Sequence, residues 1–90
     1  MFTKESTFKI SQNIVSREMK EGAYLLLEIS GDHLFELSDV AAVVWTAINN
    51  GKSYGEILQS VSTVYEMNST DEADVKAFIE ELLKAKIISL

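Results

Sequence analysis

Cysteine is absent from this 90-residue chain, which excludes disulfides, thiolate metal sites and cysteine nucleophiles together. Proline is absent too, and no repeat or low-complexity segment interrupts the order. Residues 1–90 therefore read as one domain, with the polar residues 1–7 expected to be loosely held. The four glycines are scattered and form no phosphate-cradling loop. The one histidine, His33, stands at the mouth of a turn, and without a second ligand it makes no metal site. No apolar run approaches the roughly 18 residues of a membrane span, and Met1-Phe2-Thr3-Lys4-Glu5-Ser6 lacks the apolar stretch of a signal peptide. A soluble cytoplasmic protein is expected. Basic residues are few, 8 Lys and Arg against 14 Asp and Glu, for a net charge of −6. Nucleic-acid affinity rests largely on neutralising phosphates, so a neutral or basic partner is favoured instead.

The 47% hydrophobic and 24% charged fractions belong to a folded globular chain, although one this short buries a modest core. Ile14 to Met19 reads as a first strand, ended by Lys20-Glu21-Gly22, where Gly22 supplies the positive φ of a tight turn. Ala23 to Ile29 alternates with period two: Leu25, Leu27 and Ile29 make one fully apolar face, and Tyr24, Leu26 and Glu28 the other. Ser30-Gly31-Asp32 makes a second turn. Leu34 to Leu37 returns as a third strand, with Phe35 and Leu37 on one face. The result is a three-stranded antiparallel meander.

Three helices follow, so the fold class is α+β. Ser38 is the expected cap of the first, with Asp39 at the positive end of its dipole. Val40, Ala41, Val43, Val44, Trp45, Ala47 and Ile48 cover most of its circumference, as in a helix buried on several sides, and Gly51 is its left-handed terminator. Ser53-Tyr54-Gly55-Glu56 is a capping box opening the second, and Ser69-Thr70-Asp71-Glu72 opens the third. There Val75, Phe78, Ile79, Leu82 and Leu83 spread over an arc of about 140° at 100° per residue, broader than a one-sided stripe. Ile87 to Leu90 closes the chain as an extended tail.

No catalytic constellation emerges. The carboxylates sit at helix starts (Asp39, Glu56, Asp71, Glu72, Asp74) and on polar faces (Glu80, Glu81), where dipole complementation accounts for them. Asn68-Ser69-Thr70 matches a glycosylation acceptor, but capping is the better account. Trp45, on so apolar a helix, reads as core. The sequence points to no enzyme and no cofactor. What stands out is the third strand: it lies at a sheet edge without Pro, Lys or an inward charge to discourage pairing, and such an edge either is covered by the protein's own helix or tail or accepts an extended peptide by β-augmentation. The same edge is open to homodimerisation.

The chain resembles the PqqD family, the small peptide-recognition proteins of peptide-natural-product biosynthesis. Its carriers are Val15-Ser16-Arg17-Glu18; Leu34-Phe35-Glu36-Leu37-Ser38 with Ala41 and Val44-Trp45; Asn50-Gly51-Lys52-Ser53-Tyr54-Gly55-Glu56-Ile57; and Ala73-Asp74-Val75, Phe78 and Leu82-Leu83 before a terminal aliphatic pair. Their order and spacing run from about Val15 to Leu90. The family often has Asn at the place of Ser38, Pro at that of Asp39, and Gly at that of Lys86, ahead of the last aliphatic pair.

The resemblance implies a winged-helix-like domain that binds the leader segment of a ribosomally made precursor. The leader would add as a fourth strand along His33, Leu34, Phe35, Glu36 and Leu37. Its apolar side chains would enter a cleft walled by Val75, Phe78, Ile79 and Leu82. Asp71 and Asp74 are candidates for pairing with basic leader residues. The implied role is that of an adaptor or chaperone, which hands the leader to a modifying enzyme, radical-SAM-type or other, or to a leader protease. The competing reading is a winged-helix regulator or adaptor that binds DNA or protein, disfavoured by a second helix with no Lys or Arg between Ser53 and Met67.

Overall fold

The computed structural model describes residues 2–29, 34–66 and 68–90. Its elements are β1 (Lys9–Ile10), β2 (Ile14–Glu18), β3 (Tyr24–Glu28), β4 (Leu34–Leu37), α1 (Val40–Asn49), α2 (Tyr54–Val64), α3 (Ser69–Lys84) and β5 (Ile88–Ser89). β2, β3 and β4 form the antiparallel meander in that order, and the three helices follow it in the chain. The turn between β2 and β3 uses Gly22 at φ +75°, as its sequence predicts, while the expected turn at Ser30-Gly31-Asp32 lies outside the described residues.

The two faces of the meander part company at adjacent residues. Leu26 is fully buried, whereas Leu27 is 44% exposed. Register explains the choice: Leu26 stands opposite Phe35 and Tyr24 opposite Leu37, so these four share the face that continues into α1. Tyr24 keeps its polar end satisfied by accepting a hydrogen bond of 3.1 Å from Thr46 on α1. The fully apolar Leu25–Leu27–Ile29 face is the one turned outward. Alternation identifies the two faces of a strand, but it cannot say which meets the helices.

Beneath the sheet, Val44, Trp45, Ala47 and Ile48 of α1, Tyr54, Ile57 and Val61 of α2, and Val75, Ile79 and Leu82 of α3 form one buried cluster. The Trp45 side chain is fully buried, as its surroundings on α1 suggest, and its indole N–H has no hydrogen-bond partner among the described residues.

Two expectations are corrected and one is sharpened. Residues 2–7 are anchored rather than loose: the Phe2 ring is buried edge-on between Phe8 and Tyr54, with centroids 5.4 and 4.9 Å away. The Tyr54 and Gly55 N–H groups at the start of α2 donate to the Ser6 and Lys4 carbonyls, each at 2.9 Å. One apolar side chain two residues into a polar segment is enough to dock it. Second, the tail is extended, as predicted, and it is also paired: β1 and β5 form a small second sheet, and Ile87 and Ile88 are buried. Third, Ser38 does not cap α1. The N-cap is Asp39, at φ 55° and ψ −126°, and its side chain makes no capping hydrogen bond. The positive φ turns the chain abruptly from β4 into the helix one residue later than the sequence suggests, a conformation that proline, with φ locked near −65°, would not allow.

Candidate functional site

β4 is one of the two outer strands of the meander, so alternate residues aim their N–H and C=O groups away from β3. Leu37 is buried and Phe35 half-buried, while Leu34 and Glu36 are exposed. The strand is thereby fixed to the core through one face, with its other face exposed. His33, the first residue of the predicted ladder, lies outside the described residues.

Beyond β4 the chain turns at Asp39 and begins α1 at Val40, at most about 11 Å of chain from Leu37. There a cleft of about 310 Å³ opens, lined by Val40, Val61, Tyr65, Glu66, Asp71, Asp74 and Val75. Its floor is apolar and its rim carries three carboxylates. It is bounded by the start of α1, the end of α2 and the first turns of α3.

This geometry divides the predicted wall residues. Val75 lines the cleft. Ile79 and Leu82 are buried in the core, and Phe78 packs half-buried against it; none of these three lines the opening. The broad arc of α3 is thus used largely for the core, where Val75, Ile79 and Leu82 join buried residues of α1 and α2 and α3 meets the β5 tail. Val40, Val61, Tyr65 and Glu66 complete the cleft and were not foreseen as site residues. The one signal for them is that Val61 and Tyr65 are spaced i, i+4, and so stack on one flank as α2 ends.

The two acidic candidates also differ. Asp71 is exchanged in a reciprocal cap: its carboxylate accepts from the Asn68 N–H at 3.1 Å, and its own N–H donates to the Asn68 side-chain oxygen at 3.0 Å. The cap of α3 is therefore Asn68 rather than Ser69, one residue earlier than predicted, with Asp71 closing the box. Asp74 is exposed one turn further on and faces the cleft without that duty. The box predicted at α2 forms as expected: the Glu56 N–H donates to the Ser53 hydroxyl at 3.3 Å, and the Ser53 N–H to the Glu56 carboxylate at 2.9 Å. Those hydrogen bonds hold the Glu56 carboxyl below its ordinary pKa.

Among the described residues no group of three His, Cys, Asp or Glu side chains could hold a metal ion, and no helix is long and apolar enough to cross a membrane. An edge strand that leads to an apolar, acid-rimmed cleft is equipped to bind an extended peptide.

Comparison with known proteins agrees with that class. The sequence model of the PqqD family, described as coenzyme PQQ synthesis protein D, matches residues 23–88, and the chain belongs to this family. Among solved structures, TbiB1 in complex with the TbiA(beta) leader peptide is similar with a TM-score of 0.81 and 26% identity, over 90% of this chain and 94% of that one. Lasso peptide synthetase B1 complexed with the leader peptide shares the fold with a TM-score of 0.79 and 23% identity, over 94% of this chain and 100% of that one. A search of curated proteins returns no significant relative.

Proposed function

We propose that this chain is a non-enzymatic recognition module, which captures the leader of a ribosomally made precursor peptide and delivers it to a modifying enzyme or leader protease. The leader adds as a fourth strand along β4, and an apolar side chain at one end of the paired segment seats in the cleft between Val40, Tyr65 and Val75. Main-chain pairing gives affinity that tolerates sequence change, and the seated side chain fixes register. The carrying observation is positional: an outer strand ends within a few residues of the apolar cleft, in a fold similar to that of TbiB1 with its leader.

Nuclear magnetic resonance of the labelled protein tests this. The titrant is the leader encoded by the precursor gene beside this one or, failing that, the tightest binder selected from a leader library. Expected are shift changes concentrated at residues 34–37 and around Asp74 and Val75, with slower amide exchange along β4. Changes confined to another face would sink the strand-addition reading. A gel shift with nonspecific DNA at low salt should show no retardation; retardation would favour the regulator.

A further inference from the structure

The outward face of the meander is apolar and open. Val15, Leu27 and Leu34, at 50%, 44% and 62% exposure, form one row across β2, β3 and β4. Ile29 extends the patch on β3 at 59% exposure. The next row is Arg17, Leu25 and Glu36, a cation and an anion on opposite sides of a leucine. Both charged residues are exposed.

We infer that this face packs against the same face of a second copy of the chain, in a weak and reversible dimer. A two-fold axis along β3 exchanges β2 with β4 across the interface. Leu27 then meets Leu27 and Leu25 meets Leu25 of the second copy, once each on the axis, while Val15 meets Leu34 and Arg17 meets Glu36 twice each, as an isologous interface requires. Stacked sheets lie about 10 Å apart, a gap that Arg and Glu side chains bridge. The crossing of about 30° usual for aligned sheets moves strands this close to the axis by only about 2–3 Å. The register alone produces this complementarity; an arrangement with Arg17 and Glu36 in different rows would have none.

Magnitude sets the strength. Three strands about 4.8 Å apart and five residues long at about 3.4 Å each offer a footprint of about 14 by 17 Å. That falls well short of the roughly 800 Å² per partner typical of stable complexes. The face therefore supports a weak, transient dimer, not a permanent one. Both β4 edges stay clear of the contact, so the inference does not depend on leader binding.

Sedimentation velocity of the full chain from about 10 μM to 1 mM tests it. The wild type should show a concentration-dependent dimer. Arg17→Glu and Glu36→Arg should each weaken it about tenfold, and the double variant should restore it. The two single variants move net charge in opposite directions from −6, to −8 and to −4. A general charge effect would therefore weaken one and strengthen the other. Leu27→Ser, on the axis, should weaken the dimer independently, with circular dichroism confirming that each variant is folded. A wild type monomeric throughout, a dimer indifferent to these substitutions, as one through the β4 edge would be, or a double variant that stays weak would each overturn the proposal.

Discussion

Ser53 and Glu56 hold each other's backbone N–H at the start of α2, at 2.9 and 3.3 Å, in the turn that also receives the Lys4 and Ser6 carbonyls. The carboxylate is the form that accepts the Ser53 N–H, which keeps the folded pKa of Glu56 below its ordinary value near 4.5. A depressed acid contributes stability above the unfolded pKa and loses it as pH falls through the folded one. Urea unfolding at a series of pH values should show Glu56→Ala less stable than the wild type at neutral pH. The gap should narrow as pH drops below about 4.5. A gap that is constant down to pH 3 would mean that the charge of Glu56 plays no part in the cap.

The helix ends provide a matched pair. After α1, the Gly51 N–H donates to Ile48 and the Lys52 N–H to Ala47, at 3.0 Å each; after α3, the Lys86 N–H donates to Leu83 at 3.1 Å and the Ile87 N–H to Leu82 at 3.0 Å. These are the same terminating turn, the Schellman motif. It places Gly51 at φ +76° and Lys86 at φ +62°. Glycine occupies that region without penalty, whereas a side chain strains there. The tail thus keeps the direction that glycine would give it, at a steric cost. Lys86→Gly should raise stability by up to about 1 kcal/mol, read as a higher urea midpoint at unchanged slope. A loss of stability would show that the lysine makes a compensating contact.

Two adjacent leucines should respond in opposite ways. Leu26 is wholly buried among the residues that join the sheet to α1, so Leu26→Ala should cost about 2–5 kcal/mol. Leu27→Ala, on the open face, should change stability by less than about 1 kcal/mol. Chemical denaturation of both variants checks this, and equal losses would contradict the assignment of faces.

That pair also marks the limit of what could be read from residue order. The three meander strands, the three helices, the box at Ser53 and the left-handed Gly51 follow from short-range chemistry: alternation, helical spacing and local hydrogen bonding. The orientation of β3 does not, because Leu25, Leu26 and Leu27 make both faces apolar, and the choice comes from Phe35 and Leu37 across the ladder. The β1–β5 pairing joins residues some eighty positions apart and leaves no local trace. At the cleft, Asp71, Asp74 and Val75 were legible from the start of α3. Tyr65 and Val61 were not, since their side chains follow ordinary helical spacing and come to line the cleft only where three helix ends converge.

Asp71 and Asp74 are separated by one helical turn, and the prediction for them turns on what each already does. Asp71 completes the Asn68 cap, so removing either partner exposes N–H groups at the start of α3. Asn68→Ala should cost about 1 kcal/mol of stability, and Asp71→Ala should lower stability in the same direction. Asp74 is exposed on the cleft rim with no such part in the helix start. Asp74→Lys should leave the unfolding midpoint nearly unchanged, yet weaken a leader carrying Lys or Arg beside its seated side chain by about fivefold at low salt. Because an exposed charge pair is screened over about 10 Å at 0.1 M salt, that difference should shrink as salt is raised. Isothermal titration at two salt concentrations separates the outcomes. An affinity unmoved by both salt and Asp74→Lys would leave the acidic rim without a role in recognition and assign affinity to the ladder and the apolar floor.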